Sequence, residues 1–173
     1  SEKGFQVATK NTTTGAITTR MSSGMPDLTG LSISDVATAS TLTLAADTIS
    51  VVNYAGGAAC ACTLPAATAG TIVVYAQAKD TTGGTATLSF DCAGSDVFAT
   101  GSVIESRGSD EVTFDTSASG ETLLTFTPVD AATNLFTTGS MIAFICYEDG
   151  TYHIASKMGG AADATTGAFA FAS

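Results

Sequence analysis

The run from Cys62 to Tyr75, Cys-Thr-Leu-Pro-Ala-Ala-Thr-Ala-Gly-Thr-Ile-Val-Val-Tyr, constrains the fold more than any other part of the chain. Pro65 has no N–H to give a sheet ladder and closes a strand, whereas Gly70 accepts the positive φ that a tight re-entry requires. The segment reads as strand, small-residue turn, strand. Alternation repeats the message elsewhere: Leu42 and Leu44 alternate with Thr41 and Thr43, Cys60, Cys62 and Leu64 with Ala61 and Thr63, and Ala86, Leu88 and Phe90 with Thr85, Thr87 and Ser89. A period of two is the mark of a half-buried strand. Residues 112–114 and 121–128 add further strands, with Leu124 and Phe126 on one face. Residues 72–76 and 141–147 are apolar on both faces, which suits central strands or strands whose outer face meets another subunit.

Turn chemistry supports this reading. Thr82-Gly83-Gly84 and Asp149-Gly150 each separate two strand patterns, and Asp-Gly is a strong hairpin signal because both central positions of a type I′ turn need φ above zero. About eight to ten short strands with such punctuation predict an all-β fold, an antiparallel β-sandwich or barrel rather than a parallel sheet, with an extended N-terminal arm.

Three zones follow. Residues 1–30 are rich in Thr, Ser and Gly, carry scattered Phe5, Val7, Ile17, Met21 and Met25, and lack a sustained period; they read as an extended arm that orders against a partner. Residues 31–156 form the β body. At its start, residues 31–40 suit one short helix, capped by Ser32 or Ser34 before Asp35, although Ser and Thr are weak helix formers. Residues 157–173 are a Gly- and Ala-rich tail with Phe169 and Phe171 on one face if extended. Such a segment either adds a strand to its own sheet or a neighbour's, or stays unstructured.

Charge narrows the partners. Only 13% of the 173 residues are charged, about half the share of roughly 25% usual for a soluble domain. A surface so poor in charge predicts a homo-oligomer. The net charge of −10 argues against nucleic acid, since phosphate binding needs concentrated Lys and Arg. Glu2, Lys3, Lys10 and Arg20 make the first 24 residues a formal +2, leaving −12 for the remainder; a mildly basic arm on an acidic body suits docking onto a separate partner. The absence of a signal-like or membrane-spanning apolar run predicts no membrane partner and synthesis in a cytoplasm.

The chemistry-bearing residues are few. His153 is the only histidine and sits in a strand pattern, and no Gly-x-Ser-x-Gly elbow surrounds any serine. Cys60, Cys62, Cys92 and Cys146 lack paired metal-site spacing; they read as small core residues, with a disulfide between Cys92 and Cys60 or Cys62 left open. Asp91, Asp96, Asp110, Glu111 and Asp115 do not follow an EF-hand pattern and read as solvated loops. No Gly-rich segment matches a phosphate cradle. No catalytic residue, metal or cofactor is expected.

Taken in order, Thr63-Leu64-Pro65-Ala66-Ala67-Thr68-Ala69-Gly70, the aromatic-ending strand at 72–75, Gly139-Ser140 followed by Met141-Ile142-Ala143-Phe144, and the Asp149-Gly150-Thr151-Tyr152 hairpin resemble a small β domain of tailed-bacteriophage virion proteins. It occurs in head decoration proteins and in fibre segments. The resemblance covers about residues 41–155 and implies a non-enzymatic structural protein, often trimeric. A fibre normally carries a shaft of heptads or long β repeats, and neither is legible here, so a head decoration (cement) protein on the outer capsid surface of the virion is expected. The arm lies outside the resemblance; Lys3, Phe5, Val7, Lys10, Ile17, Arg20 and Met21 are its candidate contacts with the major capsid protein, and Phe169 and Phe171 a candidate inter-subunit strand. The alternative is a receptor- or glycan-binding module of a fibre or spike, using Tyr54, Tyr75 and Tyr152 as exposed platforms.

Overall fold

The computed structural model of the chain describes residues 9–10, 17–18, 31–36, 40–81, 84–107, 112–127, 137–158 and 168–173. Among them the strands are β1 (Thr9–Lys10), β2 (Ile17–Thr18), β3 (Leu31–Val36), β4 (Ser40–Thr43), β5 (Thr48–Tyr54), β6 (Cys60–Thr63), β7 (Ile72–Gln77), β8 (Leu88–Asp91), β9 (Val97–Phe98), β10 (Val103–Arg107), β11 (Val112–Thr116), β12 (Leu123–Thr127), β13 (Met141–Glu148), β14 (Thr151–Lys157) and β15 (Ala168–Ala172). No described residue is helical. The all-β expectation holds, and two sheets form a sandwich: a six-stranded one in the order β3-β5-β7-β13-β14-β9 and a five-stranded one in the order β15-β12-β8-β6-β4.

The pairing differs from the antiparallel expectation in the first half. From β3 to β8 the chain alternates between the sheets, so that β3, β5 and β7 run parallel in one and β4, β6 and β8 run parallel in the other. The result is a coil of three rungs. Parallel neighbours need a long crossover, and here each crossover is itself a strand of the opposite sheet. The second half returns antiparallel apart from the short β9, which runs parallel to β14: β12 on β8 and β15 on β12, β13 on β7 and β14 on β13. The short helix expected over residues 31–40 is likewise replaced by β3, which pairs with β5 along its whole length. Ladder bonding to β5 outweighs weak capping signals in a segment of low helix propensity.

Alternation places the core where the sequence reading put it. Cys60, Cys62, Leu64, Leu88, Phe90, Leu124 and Phe126 are all buried. Rings from opposite sheets meet between the layers: Tyr75 of β7 stands edge-on to Phe90 of β8 with centroids 5.1 Å apart, Phe90 lies 5.1 Å from Phe144 of β13, and Phe98 of β9 lies 5.5 Å from Phe171 of β15. Aromatic pairs at such separations add about 0.5–1.5 kcal/mol each beyond area burial.

One turn departs from its predicted type. Gly150 has φ of 82° but Asp149 is not in the left-handed region, so the β13–β14 connection is not type I′. A register shift between Ile145 and Glu148 accompanies it, and such a bulge lets a turn with a single left-handed residue close a twisted hairpin. Gly70, with φ of 92°, takes the conformation expected of it. Asp47 is the one described non-glycine residue with positive φ, 53°. Asp tolerates this region, and there its N–H donates to the Ile72 carbonyl at 2.7 Å while its Oδ1 accepts from the Ile72 N–H at 3.2 Å. This exchange sets Thr48 opposite Val73 at the start of the β5–β7 ladder.

Candidate functional site

The segment that most constrains the fold is also tied to the rest of the body by several long-range hydrogen bonds. Between β6 and β7, Ala67 N–H donates to Asp96 Oδ2 at 2.6 Å and Ala69 N–H to Asp149 Oδ1 at 2.8 Å, beside the Ile72 bond to Asp47. The β13–β14 turn answers from the other side, with Gly150 N–H donating to the Ala67 carbonyl and Gly70 N–H to the Cys146 carbonyl, both at 2.8 Å. Tyr152 Oη donates to the Pro65 carbonyl at 3.0 Å. Three carboxylates from three different loops thus satisfy backbone donors of one turn, and charge-assisted bonds of this kind are about twice as strong as neutral ones.

Two of the acids read as solvated loops, Asp96 and Asp115, hold backbone in the same way, as does Asp80. Asp96 serves the turn just described, and Asp115 Oδ2 accepts from Phe171 N–H at 2.8 Å, tying β11 to β15. Asp80 accepts from both the N–H and the hydroxyl of Thr138, which holds its carboxyl below the ordinary value. Asp110 and Glu111 lie outside the described residues. Among the described residues no group of three or more His, Cys, Asp or Glu side chains is arranged to hold a metal ion.

The tyrosines named as exposed platforms are a correction. Tyr54, Tyr75 and Tyr152 are all buried: each falls on the inward parity of its strand, and each hydroxyl finds a partner inside. Tyr54 Oη donates to the Ala86 carbonyl, Tyr75 Oη to Gln77 Oε1 at 2.6 Å, and Tyr152 Oη to Pro65. The exposed tyrosine is Tyr147, at 68%, on the outward parity of β13. Its ring lies 4.8 Å from that of His153, tilted by 57°. Phe114, at 64%, and Val103, at 47%, are further exposed apolar side chains on the β10–β11 hairpin, and the sequence reading missed them. No local signal marked either aromatic: residues 141–147 are apolar at both parities, and Phe114 alternates like a core residue.

Of the arm residues, Lys10 and Ile17 are backbone register partners in the short β1–β2 ladder. Lys3, Phe5, Val7, Arg20 and Met21 lie outside the described residues. Phe169 and Phe171 belong to β15, which pairs with β12 of the same chain; of the alternatives for the tail, the structure takes a strand added to its own sheet. Phe169 packs 5.0 Å from Phe126.

All four cysteines are buried free thiols, so the open pairing of Cys92 with Cys60 or Cys62 is not made. Cys60 and Cys62 share a face of β6 with sulfurs 3.8 Å apart. The hydrogen bond between them lowers the Cys60 thiol and, together with burial, pushes the Cys62 thiol up; burial pushes Cys92 up to about 12 and closes all four sulfurs, Cys60 included, to reagents. Thiolate is the reactive form. The native protein at pH 8 is therefore expected to show no rapidly reacting thiol toward a disulfide reagent, and all 4 cysteines to react in guanidinium; a native thiol modified at the unfolded rate would contradict the burial.

Comparison of the chain with protein-family models, with curated proteins and with solved structures finds no match.

Proposed function

We propose that this chain is a non-enzymatic capsid decoration (cement) protein that binds the major capsid protein on the outer surface of a phage head as a homo-oligomer, after synthesis in the host cytoplasm. The observation that supports this reading is how the body uses its functional groups. Asp47, Asp96, Asp115, Asp149, Gln77 and the three buried tyrosines bond backbone or one another within the chain, while exposed Val103, Phe114, Met141 and Tyr147 offer apolar contact. That is the profile of a rigid body made to be packed against. The mechanism is linkage: a ligand that binds only the assembled lattice stabilises it by mass action, and many weak copies act together. The basic arm supplies the attachment. Removing residues 1–20 is expected to leave a cooperatively melting body that no longer co-sediments with heads stripped of minor proteins; retained binding by the truncated chain would sink the idea.

Two observations favour a second reading as a receptor- or glycan-binding fibre module. The three-rung parallel coil is a β repeat of the kind that sequence alone did not reveal, and Tyr147 with His153 forms an exposed ring pair. Sugar-specific binding on a glycan array, abolished by Tyr147→Ala, would select this reading over the cement one.

A further inference from the structure

The six-stranded sheet has an outward face as apolar as its core side is closed. On β13, Ile142, Phe144 and Cys146 enter the core, so Met141, Ala143, Ile145 and Tyr147 point the other way. The register sets Ala76, Val74 and Ile72 of β7 beside the first three of these, Ile49 of β5 beside Val74 and Val51 beside Ala76, and Lys157, Ala155 and His153 of β14 on the far side. Exposure rises from 7% at Val74 in the centre to 37% at Met141 and 68% at Tyr147 on the rim. A sheet with a free face ordinarily turns polar residues outward; one apolar on both faces is built to be covered.

Charge selects the cover. At one end of these strands stand exposed Lys157 and Lys79, and at the other exposed Glu148 and Asp149, with Asp47 at the start of β5. Asp80, at the lysine end, is engaged by Thr138, and at the other end Asp149 is engaged by Ala69 and Asp47 by Ile72, so Glu148 is the acid set against Lys157. Between the two ends the outward positions of β5, β7 and β13 carry no charge. A second copy turned by a two-fold axis lying in the interface and perpendicular to the strands lays its Glu148 end over Lys157 and its Lys157 end over Glu148, while apolar side chains meet in the middle. Such an arrangement is isologous and closes on itself. It also brings two acidic bodies together through a stretch whose centre carries no charge.

We propose that this outer face packs against the same face of a second copy of the chain, about a two-fold axis that pairs the lysine end of each with the glutamate end of the other. Four strands about 4.8 Å apart, each some seven residues long at about 3.4 Å per residue, give a footprint on the order of 450 Å2 per copy. Roughly 900 Å2 in total is at the small end for a specific interface, so the dimer forms at micromolar concentration and dissociates on dilution. The inference does not rest on the capsid reading, and head binding and dimerisation can fail separately. It also predicts even-numbered assemblies, where the resemblance to virion proteins implies a trimer.

Sedimentation velocity of the full chain from about 1 to 200 µM tests it. A reversible monomer–dimer equilibrium is expected. Lys157→Glu places like charges together and is expected to weaken the dimer roughly three- to tenfold, and the swap Lys157→Glu with Glu148→Lys to restore it. Ala143→Lys, at the centre of the face, is expected to leave only monomer with an unchanged circular dichroism spectrum. A monomer throughout, a trimer, or a dimer whose affinity Lys157→Glu leaves unchanged would overturn the proposal; should Ala143→Lys fail to fold, the two surface charge variants still decide it.

Discussion

Deleting residues 168–173 is expected to destabilise the body by about 5 kcal/mol or more and to make it prone to aggregate. The segment is β15, the edge strand of the five-stranded sheet. Its removal takes Phe169 from against Phe126 and Phe171 from against Phe98, and burying an aromatic side chain of this size is worth roughly 1.5–3 kcal/mol. It also removes the ladder to β12 from Leu123↔Ala172 to Thr127↔Ala168 and takes from Thr122 N–H its acceptor, the Ala172 carbonyl. Asp115 loses the Phe171 donor. Against a typical total of about 5–15 kcal/mol, the loss is a large fraction, and by the usual scaling it lowers the melting temperature by roughly 10–20 °C. β12 then becomes an unprotected edge, the kind that pairs with other chains. Urea unfolding measures the first effect and light scattering at rest the second. A truncated chain with an unchanged urea midpoint would show that the tail does not dock as described.

Gln77→Leu should cost about 3 kcal/mol although it preserves bulk and increases apolarity. Gln77 is buried at the end of β7. The β5–β7 register runs to Val52↔Gln77, and beyond it the Gln77 side chain takes over the bonding: Nε2 donates to the Tyr54 carbonyl at 2.7 Å and to the Lys79 carbonyl at 2.6 Å, while Oε1 accepts from Tyr75 Oη at 2.6 Å. Leucine removes all three bonds at once, and each buried polar group that loses its partner costs roughly 1–3 kcal/mol, offset in part by the gain from burying leucine. Tyr75→Phe, which deletes a single donor, should cost about 1 kcal/mol. Chemical denaturation of both variants compares them directly. Equal losses would mean that the Gln77 amide contributes nothing beyond the tyrosine bond.

The parts of the fold legible in the sequence are those set by neighbouring residues. Cys60, Cys62 and Leu64 alternate and are buried because strand parity is local; β6 ends at Thr63, just before Leu64-Pro65, and Gly70 turns left-handed because proline lacks a donor and glycine lacks a Cβ. Tyr152, which shares a parity with Ile154 against Thr151 and His153, follows the same local logic, whereas Tyr75 and Tyr147 sit in runs apolar at both parities, where alternation does not choose a side. The candidate site was less legible, since Asp149 serves Ala69 and Asp115 serves Phe171 across long stretches of chain, and a carboxylate in a loop looks the same whether it meets water or a distant N–H.

By itself, then, the sequence determined the strands marked by local alternation, apolar runs or turn residues, namely β4, β6, β7, β8, β11, β12, β13 and β14, because those signals follow from backbone geometry over a few residues. Only the tertiary structure decided that the turns between β3 and β8 carry the chain to the opposite sheet rather than back along the same one. It also made residues 31–36 a strand instead of a helix and enlisted acidic loops as backbone acceptors. The reason is physical: a turn specifies a change of direction, but which edge the next strand meets depends on ladder bonds and buried surface contributed by residues far away in the chain.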